Sequence, residues 1–148
     1  MTATNHFVTG ALIASVVPNH ALGLVLALLS HVLLDAIPHF GVAVENNLKI
    51  FVPVLVVDSA LAAALILVIF FRQPHEYLWV ISGGIAAASA DLLSIPYFIS
   101  SIKKRPHKFG KVQTFLGSVQ WSESVPGIGV EVVWLGVIGA ILFQKLFR

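Results

Sequence analysis

Long apolar stretches dominate the chain, and short segments with proline or charged residues separate them. Four stretches have 18 or more residues each, namely 20–37, 50–71, 77–99 and 126–147. At about 1.5 Å per residue, a helix of that length covers roughly 27 Å or more, close to the hydrocarbon thickness of a bilayer. A fifth stretch, 7–17, reaches only about 16 Å. The pattern predicts an all-α integral membrane bundle with four spanning helices and a half-length N-terminal helix.

Prolines mark the ends of these predicted helices. Pro18 and Asn19 form a turn signal between the short stretch and the first long one. Pro38 ends the stretch 20–37, because the residue before a proline is disfavoured in helical conformation. We therefore predict one membrane domain over 1–148 that begins with a helical hairpin of unequal arms.

The segment 100–125 differs from the rest because it is basic. Its positive residues are Lys103, Lys104, Arg105, Lys108 and Lys111. Apolar residues then recur at helical spacing, at Phe109, Val112, Phe115, Leu116 and Val119. This pattern is typical of an amphipathic helix in the membrane surface, where the basic side chains would meet anionic lipid headgroups. A solvated loop with scattered apolar residues is an equally good interpretation.

The positive residues also predict the orientation of the chain. Six of the nine lie on one side, five in the 100–125 loop and one at Lys49, against Arg72, Lys145 and Arg148 on the other. Cytoplasmic loops carry the excess of Lys and Arg, so the 100–125 loop is predicted to be cytoplasmic.

Composition supports the membrane class and excludes others. Hydrophobic residues make up 57% of the chain and charged residues 11%, where a soluble domain carries about 25% charged residues. The mean hydropathy is +0.92. A net charge of +2 is too small for a nucleic-acid partner, and the absence of cysteine excludes disulfides and thiolate chemistry.

Each long stretch contains one acidic residue, and these are Asp35, Asp58, Asp91 and Glu131. A carboxylate at the bilayer centre costs about 2.5–3.5 kcal/mol on insertion scales. With alternating helix directions, the ionisable groups of all four stretches fall about 8–12 Å from the cytoplasmic edge. Such an arrangement predicts that these carboxylates meet and that something positive offsets their charge.

A histidine accompanies the first of these acids. His31 and Asp35 are four residues apart and project from one helix face. Imidazole and carboxylate together suit zinc, manganese or iron, although such a pair can also be a simple hydrogen bond. A bound cation would offset the charges and acidify a water molecule for hydrolysis, with a spare carboxylate as general base.

At these residues the chain resembles the LexA-regulated, inner-membrane-associated metal-dependent hydrolases of bacteria and archaea. The matching pieces are 5–10 (Asn-His-Phe-Val-Thr-Gly) and 30–40 (Ser-His-Val-Leu-Leu-Asp-Ala-Ile-Pro-His-Phe). The first is similar to that family's Thr-His-x-x-x-Gly opening. Two features depart from the family: Asp35 stands before Pro38 instead of in a Pro-Asp-x-Asp-His cluster, and the stretch 115–121 lacks a histidine.

The resemblance implies an inner-membrane protein whose histidines and aspartates bind a divalent metal. It implies as ligands His6, His31, Asp35 and His39, with Asp58 and Asp91 as further candidates. In the resulting scheme Asp58 and Asp91 complete or orient the metal shell. Catalysis is assigned to Asp91 and Glu131, with Glu131 as the candidate base.

The predicted function is a divalent-metal-dependent hydrolase at the cytoplasmic face, acting on a phosphoester such as a lipid headgroup. Intramembrane acids mark ion pathways equally well, so a small ion- or proton-coupled transporter is an alternative. A non-catalytic membrane scaffold subunit is another, because the histidine expected in 115–121 is missing. A homo-oligomer is compatible with each of these functions.

Overall fold

The computed structural model of the chain is an α-helical bundle, and it describes residues 1–42, 44, 47–72 and 74–147. Its helices are α1 (Ala3–Val16), α2 (His20–Asp35), α3 (Leu48–Arg72), α4 (Tyr77–Ala88), α5 (Ile95–Ile102), α6 (Lys111–Val119) and α7 (Ile128–Phe147). Two short 3₁₀ helices, Ser89–Ser94 and Val125–Gly127, precede α5 and α7. Two two-residue strands, β1 (His39–Phe40) and β2 (Glu123–Ser124), pair in parallel.

The all-α class is confirmed, and three of the four predicted spans correspond to long helices. Among the described residues, three helical segments are long and apolar enough to cross a membrane, and they are Leu48–Arg72, Tyr77–Ile102 and Val125–Phe147. The remaining predicted span, 20–37, contains α2, a shorter apolar helix of 16 residues. The amphipathic segment contains α6, so the region 100–125 is partly helical. Arg148, which entered the charge comparison, lies outside the described residues.

The outer faces of the long helices are apolar. Phe71 on α3 is 75% exposed, and Val133 on α7 is 66% exposed. Leu33 on α2 is 70% exposed. Water-soluble monomers rarely expose continuous apolar surface of this kind, so these faces fit a lipid environment.

The short helix α1 lies inside the bundle. It packs most closely on α4 and also contacts α2, α3 and α7. Eight of its 14 residues are buried, and they are Thr4, Asn5, His6, Phe7, Val8, Gly10, Ala11 and Ala14. A half-length helix buried among longer ones brings its N-terminus, with its unpaired backbone N–H groups, into the interior. Buried carboxylates can therefore accept hydrogen bonds from these N–H groups.

Close packing of α1 on α4 depends on two glycines. A Cβ atom added at Gly10 would clash with the Gly83 carbonyl, and one added at Gly83 would clash with Ala14. We expect Gly10→Val to lower the free energy of unfolding by about 1–3 kcal/mol, as overpacking does. Thermal unfolding in detergent measures the change. Gly136→Ala on α7 is the matched control, because a Cβ there meets nothing within 4 Å; unfolding of both variants at the parent temperature would refute the contact.

The unit Tyr77–Ile102 is not a continuous α-helix. Residues Ser89–Ser94 adopt 3₁₀ geometry, and Pro96 follows in the first turn of α5, where its missing N–H is tolerated. The Ser89 hydroxyl donates a hydrogen bond to the Ala86 carbonyl at 2.8 Å. Mid-helix 3₁₀ stretches often occur at functional positions, and this one carries Asp91.

Candidate metal centre

The carboxylates of Asp35, Asp58, Asp91 and Glu131 converge on the N-terminal end of α1 and on His31. Asp35, Glu131 and Asp58 accept hydrogen bonds from successive N–H groups between Met1 and Thr4. Asp91 lies 3.9 Å from Nε2 of His31. Three of the four are buried, with Asp35 1% and Glu131 2% exposed. Acids from separate helices therefore surround one site.

Asp58 caps α1 from a neighbouring helix. Its Oδ2 accepts from Ala3 N and its Oδ1 from Thr4 N, both at 2.9 Å. The Thr4 hydroxyl donates to the Asp58 carbonyl at 2.9 Å. The positive end of the helix dipole and these N–H groups stabilise the buried negative charge. Asp58 thus already has its positive partner.

Glu131 is likewise saturated by protein donors. Its Oε2 accepts from Thr2 N at 3.0 Å and from Asn5 Nδ2 at 3.1 Å. Its Oε1 accepts from Phe40 N at 2.9 Å. Glu131 therefore ties α7 to the beginning of α1 and to β1.

Asp35 lies between two histidines. Its Oδ1 is 3.1 Å from His6 Nε2, and its Oδ2 is 3.2 Å from His31 Nε2. Gln120 Nε2 donates to the same Oδ2 at 2.8 Å, and the Met1 amine donates to Oδ1. Both oxygens are thus occupied, and Asp35 fixes the orientation of both imidazoles.

His31 directs one ring nitrogen at carboxylates. Its Nδ1 lies 2.9 Å from the Ala87 carbonyl, an acceptor that requires Nδ1 to carry the hydrogen. A neutral imidazole then has a lone pair at Nε2. That lone pair would face Asp35 and Asp91, so the arrangement needs a proton or a cation at Nε2.

His6, His31 and Asp91 form a group that could hold a metal ion. One ligand atom from each lies within 4.8 Å of the others. The two imidazole rings stack with centroids 4.0 Å apart. Nδ1 of His6 and Oδ2 of Asp91 are buried and have no hydrogen-bond partner in the part of the chain that the structure describes. Unpaired buried polar atoms are uncommon and call for a further partner.

His39 lies apart from this group. Its Nδ1 is 2.7 Å from the Ile37 carbonyl, and its Nε2 is 3.5 Å from Glu123 Oε1 across the β1–β2 pair. Burial disfavours the charged form of His39, but the Glu123 carboxylate, the Ile37 carbonyl and the charge of Asp35 together outweigh it, so the pKa of His39 lies above its ordinary value. Within the described ranges, the metal-compatible group includes Asp91 and does not include His39, Asp35 or Asp58.

Sequence reasoning missed Gln120 and Asn5. Gln120 belongs to the stretch 115–121, where the resemblance led to an expected histidine, and it contacts Asp35 in place of one. The histidine nearest to this stretch in the sequence is His107. It lies near Ser100, at 3.5 Å, and packs against Phe109. Comparison of the chain with models of known protein families, with curated proteins and with solved structures gives no match.

Proposed function

We propose that this protein is a membrane-embedded, divalent-metal-dependent hydrolase that cleaves a phosphoester at the cytoplasmic face. The observation that carries the proposal is the convergence of His6, His31 and Asp91, with two buried polar atoms left unpaired. A simple hydrogen-bonded cluster would satisfy those atoms within the protein. A cation held by the two imidazoles and by one oxygen of Asp91 would balance the negative charge and leave the second oxygen of Asp91 free.

The residues fit a divalent metal. Metal-binding histidines usually donate their other ring N–H to a carbonyl or carboxylate, as His31 does to Ala87. Two imidazoles and one carboxylate suit zinc, manganese or iron. In this proposal His6, His31 and Asp91 hold the metal. Asp35 orients His6 through Nε2, and the Ala87 carbonyl orients His31 through Nδ1. A bound metal would supply Lewis acidity and lower the pKa of a water molecule.

The other acids take different tasks in the proposal. Asp58 and Glu131 hold the N-terminus of α1, and so fix the position of His6. The role of general base moves from Glu131 to Asp91. Asp91 keeps an unpaired Oδ2 and its side chain is 34% exposed, whereas both oxygens of Glu131 are engaged. A base needs a free oxygen within reach of the proton it accepts.

The proposed setting is the inner membrane, with α2 as a fourth, short span and the 100–125 loop in the cytoplasm. Gln120 places the end of α6 beside Asp35, so the metal centre and the basic segment lie at one end of the bundle. The five basic side chains of that segment are exposed. They would attract anionic headgroups, which favours a phosphoester of a membrane lipid as substrate.

Hydrolysis of bis(p-nitrophenyl) phosphate by the purified protein tests this function. We expect turnover that requires added zinc or manganese and disappears with a chelator. Asp91→Asn should lower the rate about 10²–10⁴-fold, the range for losing a general base. Glu76→Gln, at an exposed loop position, is the control and should retain the parent rate. Equal rates with and without metal, or an unaffected Asp91→Asn, would refute the proposal.

A further inference from the structure

A cavity of about 520 Å³ lies beside the metal centre. It is bounded by α3, by the segment Ser89–Ser94 with α5, and by α6. Its volume falls in the range of about 300–1,000 Å³ that small-molecule sites occupy. A metal ion and a water molecule would fill only a small part of it, so the cavity has room for a larger ligand.

The two ends of the cavity differ in chemistry. At one end His31, Asp58 and Asp91 contribute polar atoms. Elsewhere the walls are mostly apolar, although Gln113, Gln120 and Glu123 also line the cavity. The apolar lining is formed mainly by Phe51, Val54, Leu55, Phe98, Phe109 and Leu116. The rings of Phe51 and Phe98 contact each other, with centroids 5.0 Å apart, and make one continuous wall from α3 to α5. The occupant should therefore be an amphiphile, with a polar head at the acids and an apolar body.

The charges of the lining residues restrict which polar head groups the cavity could bind. The lining residues that the structure describes include Asp58, Asp91 and Glu123 but neither lysine nor arginine, and the amine of the lining residue Met1 already pairs with Asp35. An anionic head would be repelled by these carboxylates alone and would need a bound cation between them. A metal held by His6, His31 and Asp91 would stand at that end of the cavity, which favours a head that coordinates metal, such as a phosphate.

Hydrogen bonds fix α6 as a wall of the cavity. Gln113 Nε2 donates to the Leu93 carbonyl at 2.6 Å, and Gln113 Oε1 accepts from Gly110 N at 2.9 Å. Gln120 fastens the other end of the helix to Asp35. Leu116 and Gly117 face the cavity, whereas Val112 and Phe115 are exposed. The apolar part of the cavity thus lies beneath a helix whose other face suits the membrane surface.

We propose that this cavity binds the hydrocarbon chain of a lipid phosphoester, with its phosphate at the metal centre. The inference rests on the proposed function for the head, whereas the chain-binding part rests on the apolar walls alone. The preferred substrate class is therefore a membrane amphiphile. The chain lies along α3 between Phe51 and Leu55 and under α6.

Photo-crosslinking tests the chain site directly. Dodecyl phosphate with a diazirine at the end of its chain is added to metal-loaded protein in nanodiscs, and the labelled peptides are identified by mass spectrometry. We expect labels on the cavity residues of α3, α5 and α6, and competition by unlabelled dodecyl phosphate. Val54→Trp, which fills the cavity one turn from Asp58, should reduce this labelling about tenfold, equivalent to about 1.4 kcal/mol.

Val56→Trp is the matched control on the same helix, because Val56 is 61% exposed and points away from the cavity. It should be labelled like the parent. Labels spread over the lipid-facing surface, or equal labelling in both variants, would overturn the chain site. Metal content, measured on the same samples, separates the two proposals. If the parent lacks metal while Val54→Trp still removes the label, the chain site stands and the hydrolase proposal fails.

Discussion

His31→Ala is expected to reduce bound divalent metal from about one ion per chain to background. His31 supplies one of the three ligand groups, and its Nδ1 contact with Ala87 fixes the ring. Losing an outer contact of a metal site alone typically costs 10–100-fold in affinity, and losing a ligand costs more. Elemental analysis of the purified protein after loading with zinc or manganese measures the change.

His75→Ala is the control for this experiment, because His75 is exposed and belongs to the loop between α3 and α4. It should bind the same amount of metal as the parent. The thermal unfolding of both variants without metal should be recorded, because a folded His31→Ala protein that lacks metal separates ligand loss from misfolding. Equal metal content in His31→Ala and the parent would contradict the site.

The second large effect is expected on stability. Glu131→Ala would leave two N–H groups, those of Thr2 and Phe40, without their acceptor. It would also remove one of the three acceptors of Asn5 Nδ2, which keeps the Thr2 hydroxyl and the backbone carbonyl of residue 131. Each unpaired buried donor costs about 1–3 kcal/mol. We therefore expect a loss of about 2 kcal/mol or more in the free energy of unfolding. Denaturant unfolding in detergent measures it, and Glu76→Ala at an exposed position should stay close to the parent.

This prediction also separates two roles for Glu131. If Glu131→Ala is as stable as the parent but inactive in the phosphoesterase assay, then Glu131 is the base, as the sequence alone suggested. If the variant is destabilised, its carboxylate acts by positioning α1, and hence His6. The three hydrogen bonds to Glu131 favour the second result.

The meeting of the four acids could be predicted from sequence because helix length and direction determine depth. Asp35 and Asp91 lie toward the C-terminal ends of their apolar stretches, and Asp58 and Glu131 lie toward the N-terminal ends of theirs. Because successive helices alternate in direction, all four fall on one side of the bundle. Their partners could not be predicted in the same way. The N–H groups at the start of α1 belong to the backbone, which leaves no trace in a residue pattern, yet they satisfy Asp58 and Glu131. Asp91, His6 and His31 remain as the group that could hold a cation.

The other differences between the predicted site and the structure have local causes. Pro38 redirects the chain after α2, and the short β1–β2 pair then carries His39 toward Glu123 instead of toward His31. A two-residue strand is too short to produce an alternating pattern. The 3₁₀ segment Ser89–Ser94 is also hidden in the sequence, because its residues continue an apolar stretch. Gln120 carries no charge and gave no signal of its contact with Asp35.

Anomalous diffraction at the metal absorption edge, from crystals of protein loaded with one divalent metal, tests the central claim most directly. The account predicts one strong peak within coordination distance, about 2.0–2.2 Å for zinc, of His6, His31 and Asp91. A metal-loaded crystal with its peak at His39 and Glu123 would contradict it. So would a crystal with no peak at the ring nitrogens of His6 and His31 beside Asp91.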